Sequence, residues 1–105
     1  MKIHEISPLK ESWDNNENEG EQSFEFVCLT FTKKEIEYTL YLSDIKISID
    51  HLNNKDIWNY ELDLYDDNGD DIDFLKFNFS YKDIEAFIYN LEDHKEGDEI
   101  NIKHS

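Results

Sequence analysis

The residues best equipped for chemistry in this 105-residue chain lie at 65 to 73, YDDNGDDID, where five aspartates surround one Asn-Gly pair. Clustered carboxylates attract hard cations, so calcium binding is the first chemistry to weigh. An EF-hand loop needs oxygen ligands at its first, third and fifth positions, glycine at the sixth and glutamate at the twelfth, between two helices. With Gly69 as the sixth residue, the first is Leu64 and the twelfth Leu75. With Asp66, Asn68 and Asp70 as the opening ligands, Asp71 replaces the glycine and Phe77 the glutamate. Neither frame fits and the flanks read as strands, so an acidic calcium-binding module stands third among the functions considered.

Other reactive residues form no constellation. His4, His51, His94 and His104 are scattered without a metal-ligand spacing and are expected at the surface, His104 in a frayed tail. Cys28 sits mid-strand between apolar neighbours, whereas a nucleophilic cysteine wants exposure and a positive neighbourhood. As the only cysteine it excludes an intrachain disulfide and a multi-cysteine zinc site. With Gly20, Gly69 and Gly97 as the only glycines there is no phosphate-cradling loop. The expectation is a protein that is not an enzyme and needs neither cofactor nor metal.

Charge is more informative. Against 26 acids stand 10 bases, all lysine, for a formal charge of -16. Such a field repels phosphate backbones and anionic lipid headgroups, which argues against direct nucleic-acid or membrane binding. It attracts a basic protein surface and speeds encounter with it. The opening residues, MKIHEISPLK, lack the apolar run of a signal peptide, and no stretch approaches the roughly 18 apolar residues of a membrane span. A cytoplasmic location is therefore expected.

The length fits a single domain over 1–105. Its polar, acidic stretch at 9 to 22 is expected to be a flexible loop, with Trp13 either folded back onto the core or displayed to a partner. From Ser23 the alternation predicts strand after strand. Val27, Leu29 and Phe31 share one face, while Phe26, Cys28 and Thr30 share the other. A two-residue turn at Lys33 and Lys34 would set Phe31 opposite Ile36, Leu29 opposite Tyr38 and Val27 opposite Leu40. After Ser43 and Asp44 the apolar positions change from even to odd, through Ile45, Ile47 and Ile49, which predicts a bulge. Trp58, Tyr60, Leu62 and Leu64 then alternate again. Ser80 reads as a helix N-cap with Asp83 in the first turn, and Ile84, Phe87, Ile88 and Leu91 recur at helical spacing. Together these predict an α+β fold: an antiparallel β-meander of about five to seven strands, one helix at about 81–94 on one face, and a short final strand at EINIK.

A type I′ turn centred on Asn68 and Gly69 would pair Leu62 with Leu75, Tyr60 with Phe77 and Trp58 with Phe79. That register turns Tyr65, Ile72 and Phe74 onto the opposite face, among Asp63, Asp66, Asp67, Asp70, Asp71 and Asp73. Apolar anchors within a charged rim are the anatomy of a recognition surface, unless residues 9 to 22 or the last strand cover them. The leading function is a stoichiometric inhibitor, an immunity protein or antitoxin that covers a basic toxin such as a nuclease. The alternative is a phage-type DNA mimic that inhibits CRISPR or restriction machinery, with its carboxylates in a spaced row along one face.

Overall fold

The computed structural model describes residues 1–14 and 18–105. Among them six strands form one antiparallel sheet: β1 (Lys2–Ile6), β2 (Lys10–Asp14), β3 (Glu19–Lys33), β4 (Ile36–Ile49), β5 (Lys55–Tyr65) and β6 (Asp71–Ile72). From β3 onward neighbours in sequence are neighbours in the sheet, so the predicted α+β meander is the observed fold. One α-helix, α1 (Tyr81–Tyr89), and two short 3-10 turns, Phe74–Phe77 and Leu91–Asp93, complete the described elements. Among the described residues no helix is long and apolar enough to cross a membrane.

The pairing of β3 with β4 is the longest in the molecule, and both strands change face at matched positions. On β3 the buried residues are Gln22 and Phe24, then Val27, Leu29 and Phe31. On β4 they are Leu40 and Leu42, then Ile45, Ile47 and Ile49. Phe24 pairs with Ile45 and Val27 with Leu42, so the two breaks in alternation lie opposite each other. Asp44 takes up the bulge predicted there with a φ of 49°.

Aligning the breaks corrects the expected turn. Lys33 pairs with Ile36 and Phe31 with Tyr38, two residues away from the predicted register, and Lys34 and Glu35 make the turn. A shift of two preserves the inward face, whereas the predicted register would have set one break against unbroken strand. Both turn residues have positive φ, 50° and 67°, as a two-residue hairpin of this hand demands.

The expected loop at 9 to 22 is instead a strand pair over Lys10–Asp14 and from Glu19 onward, with Lys10 opposite Ser23 and Asp14 opposite Glu19; its part at 15–17 lies outside the described residues. β1 and β2 run in succession along the same flank of β3. Between them Ser7 holds the edge: its N–H donates to the Phe26 carbonyl and its Oγ accepts from the Phe26 N–H, beside a proline that has no donor.

On β5, Tyr60, Leu62 and Leu64 face the core as predicted, but Trp58 does not. Ile47 pairs with Ile57 and Lys46 with Asn59, which leaves Trp58 as the extra residue of a bulge. It is turned outward, 53% exposed, with the Lys46 ammonium 5.3 Å from its ring centroid.

Ser80 caps α1 as expected, its Oγ accepting from the Asp83 N–H at 3.2 Å. Ile84, Phe87, Ile88 and Leu91 are all buried against the sheet. Beyond the helix, Lys55 pairs with Glu92, and Gln22 donates to the same carboxylate at 2.8 Å. These two partners hold the Glu92 carboxyl below its usual range, Lys55 chiefly, against the opposing effect of burial.

The expected final strand is an extended segment with a single bridge, Lys2 to Glu99. Its polar backbone is divided between two anchors: the Ile100 N–H donates to Met1, while the Lys103 N–H donates to the Asp83 carboxylate at 2.9 Å. His104 is not frayed; its ring lies 4.7 Å from that of Phe31 and 5.5 Å from that of Phe79.

Left-handed backbone at Glu35 costs about 1–2 kcal/mol, and glycine there would forfeit about 0.5–1 kcal/mol of chain entropy. Glu35→Gly is therefore expected to raise the urea midpoint at unchanged slope, a net gain of about 0.5–1 kcal/mol. A lowered midpoint would contradict the turn geometry.

Candidate functional site: the open face of the sheet

The aspartate loop is built differently from a type I′ hairpin. Leu64 pairs with Ile72 and Tyr65 with Asp71, so the connection is the five residues 66–70. The Asp66 carboxylate accepts from the N–H groups of Asn68 and Asp70 at 2.9 and 3.0 Å, an Asx-turn that reinforces the backbone bond from the Gly69 N–H to the Asp66 carbonyl. Gly69 supplies the positive φ, 79°. The predicted pairs of Leu62, Tyr60 and Trp58 with Leu75, Phe77 and Phe79 do not form. β6 ends at Ile72, and Asp73 starts the 3-10 turn by accepting from the Leu75 N–H at 3.0 Å.

This one-residue change of register redistributes the predicted anchors. Ile72 and Phe74 turn inward and pack, half-buried, against the core. Asp66 and Asp73 are engaged with backbone, and Asp67 and Asp70 stand exposed at the loop tip. Tyr65, Asp63 and Asp71 remain on the outer face.

The register places three rows of residues across that outer face. One runs Lys2, Thr30, Thr39, Tyr65, Asp71. The next runs Glu5, Cys28, Tyr41, Asp63, and the third Phe26, Ser43, Glu61. None of these residues is buried, because α1 and the C-terminal segment cover the opposite face. The rings of Phe26 and Tyr41 stack at 5.9 Å. The result is an aromatic stripe, Phe26, Tyr41 and Tyr65, bordered by the carboxylates of Glu5, Glu61, Asp63 and Asp71.

Electrostatics agree with that geometry. Partial desolvation raises the Tyr65 phenol first, and the carboxylates of Asp63 and Asp71 add to it. Tyr41 is raised by desolvation, then by Cys28, Glu5, Asp44 and Asp63. Desolvation and Glu5 raise the Cys28 thiol, an environment that disfavours thiolate. Alternation had already assigned Phe26 and Cys28 to the outer side; the contributions of Tyr41, Glu5 and Glu61 needed the cross-strand register.

Trp13 is not part of this surface. It sits on the helix-side face of β2, opposite Gly20, which pairs with Ile49 at the far end of β4, roughly 30 Å from Thr39 at strand spacing. The indole is 48% exposed and lies over Gly20, where an added Cβ would come within 2.5 Å of the ring. Its Nε1 donates to Glu11 at 2.9 Å, so it neither enters the core nor joins Tyr65.

A cleft of about 530 Å³ between β5 and α1 is lined by Lys55, Ile57, Glu85 and Tyr89 among others, and Lys55 is already engaged there with Tyr89 and Glu92. Among the described residues no group of three or more His, Cys, Asp or Glu side chains is placed to hold a metal ion. No protein-family model matches the chain, and neither a curated protein nor a solved structure matches it.

The raised phenols favour the neutral form in the fold, so the stability they contribute is complete below about pH 10 and is lost as pH climbs through their higher folded values. Asp63→Asn removes a carboxylate that acts on both rings. Ultraviolet titration is expected to show both phenols ionising at lower pH in that variant, and an unmoved alkaline transition would contradict their shared outer face.

Proposed function

We propose that the chain is a non-catalytic inhibitor of the immunity-protein or antitoxin type, acting in the cytoplasm by covering a basic surface of a toxin. The observation that carries this reading is the uncovered outer face of the sheet, where Phe26, Tyr41 and Tyr65 lie among Glu5, Glu61, Asp63 and Asp71. Its rings supply area and shape, and its carboxylates supply steering and pairing to lysines or arginines. The net charge of -16 accelerates encounter with such a partner and discourages acidic ones.

The outline of the molecule, 52 × 22 × 22 Å, gives the DNA-mimic reading its own support, since an acidic rod can lie in a duplex-binding groove. Duplex DNA carries one charge per ~1.7 Å of axis, so a 52 Å length would bear about 30 charges where this chain carries a net -16. The lower charge density and the aromatic stripe, which has no counterpart in a phosphate track, favour the toxin inhibitor.

Affinity capture from the source cell, at low and raised salt, tests the surface. Reversing Glu61, Asp63 and Asp71 to lysine is expected to abolish salt-sensitive capture of a basic protein and to slow association by roughly tenfold or more. Reversing Asp67 and Asp70, at the loop tip, should leave capture largely intact. Equal capture by both variants would reject the outer face as the contact.

A further inference from the structure

Near the β3–β4 turn the molecule carries a feature opposite in character to the rest of its surface. A pocket of about 350 Å³ opens on the helix-side face, with Ile36, Tyr38 and Phe77 in its floor and Lys33, Lys34 and Lys76 around it. No carboxylate lines it, in a chain with 26 acids.

Strand alternation produces this segregation. Lys33 and Ile36 form a cross-strand pair on the same face as Phe31 and Tyr38, while Thr32 and Glu37 form the pair on the other face. Asp71 lies opposite Tyr65 on the outer side, and Asp73 is engaged in capping. The 3-10 turn Phe74–Phe77 brings in Lys76 and the Phe77 ring. Lys33 is already oriented, its ammonium 5.0 Å from the Phe77 ring centroid. Among the described residues the lysines in ion pairs are Lys10 and Lys55, so none of these three lysines is tied to a carboxylate. Ile36 is 39% exposed, which leaves apolar surface beside the charges.

We propose that this pocket is a binding site for a small organic monoanion, an apolar body carrying one carboxylate or sulfonate group. The volume lies at the small end of the range of ligand pockets, ~300–1,000 Å³. Its floor accommodates the apolar body and the lysines receive the head group, whose negative charge they alone complement. A polyanion such as nucleic acid is disfavoured, because its further charges would extend over the surrounding acidic surface. With a screening length of about 8 Å in physiological salt, a single charge in the pocket responds mainly to the nearest lysines. The site lies on the face opposite the one proposed for the basic partner, and it stands whether or not that partner exists.

Anilinonaphthalene sulfonate, an aromatic monoanion whose fluorescence rises in apolar sites, is the probe. The native chain is expected to bind it saturably, once per molecule. Lys33→Met with Lys76→Met, which keeps the aliphatic stems, should weaken binding by about tenfold or more. Lys76→Glu alone, a surface change that leaves the fold intact, should weaken it at least as much as Lys76→Met alone. Uncharged phenylnaphthylamine should bind the native chain no better than the double variant. Absence of saturable binding, equal affinity for the sulfonate across these variants, or equal binding of the two probes by the native chain would overturn the site.

Discussion

The structure depends on one constraint: the two longest strands must exchange their inward and outward faces together. If β3 changed face where β4 did not, either Phe24 or Ile45 would be driven into solvent while its partner stayed buried. Opposing the breaks lets one hairpin keep both halves of its apolar pattern on the side that α1 covers. Asp44 takes up the bulge on β4, and the turn falls at Lys34 and Glu35 as a consequence, despite their poor fitness for it. The same pairing carries Phe26 and Tyr41 to the uncovered side as a stacked pair.

Much of this was legible from spacing. The bulge after Ser43, the inward Ile45, Ile47 and Ile49, the Ser80 cap and the helical stripe from Ile84 to Leu91 are all as the periodicity indicates. The discrepancies share a physical origin. Polarity at 9 to 22 resembles a loop, yet a strand flanking β3 can be exposed along its whole length and be held by backbone pairing together with polar contacts such as Lys10 to Glu25. Trp58 and the aspartate hairpin each depart by a single residue of register, and a single residue suffices to reverse a face. Composition does not announce where an Asp carboxylate will substitute for a backbone acceptor, as Asp66 and Asp73 do.

The candidate site was correspondingly half legible. Tyr65, Asp63 and Asp71 lie on the predicted side, whereas Ile72 and Phe74 serve the core and Trp13 belongs to a distant end. Beside the loop tip the fold assembles a broader surface from β1, β3, β4, β5 and β6, with aromatic rings in the middle and carboxylates at the border. A protein with this much negative charge gains specificity only where shape and apolar area accompany it, and here they coincide on the outer sheet. The lysine-lined pocket on the opposite face shows that the charge pattern is local as well as global.

Site-specific photo-cross-linking in the source cell tests the central claim most directly. A photoreactive side chain placed at Thr39, between Tyr65 and Thr30 on the outer sheet, is predicted to trap one basic protein, and the same group at Ala86, exposed on α1, to trap none. Capture from the helix position alone, or from neither, would contradict the account.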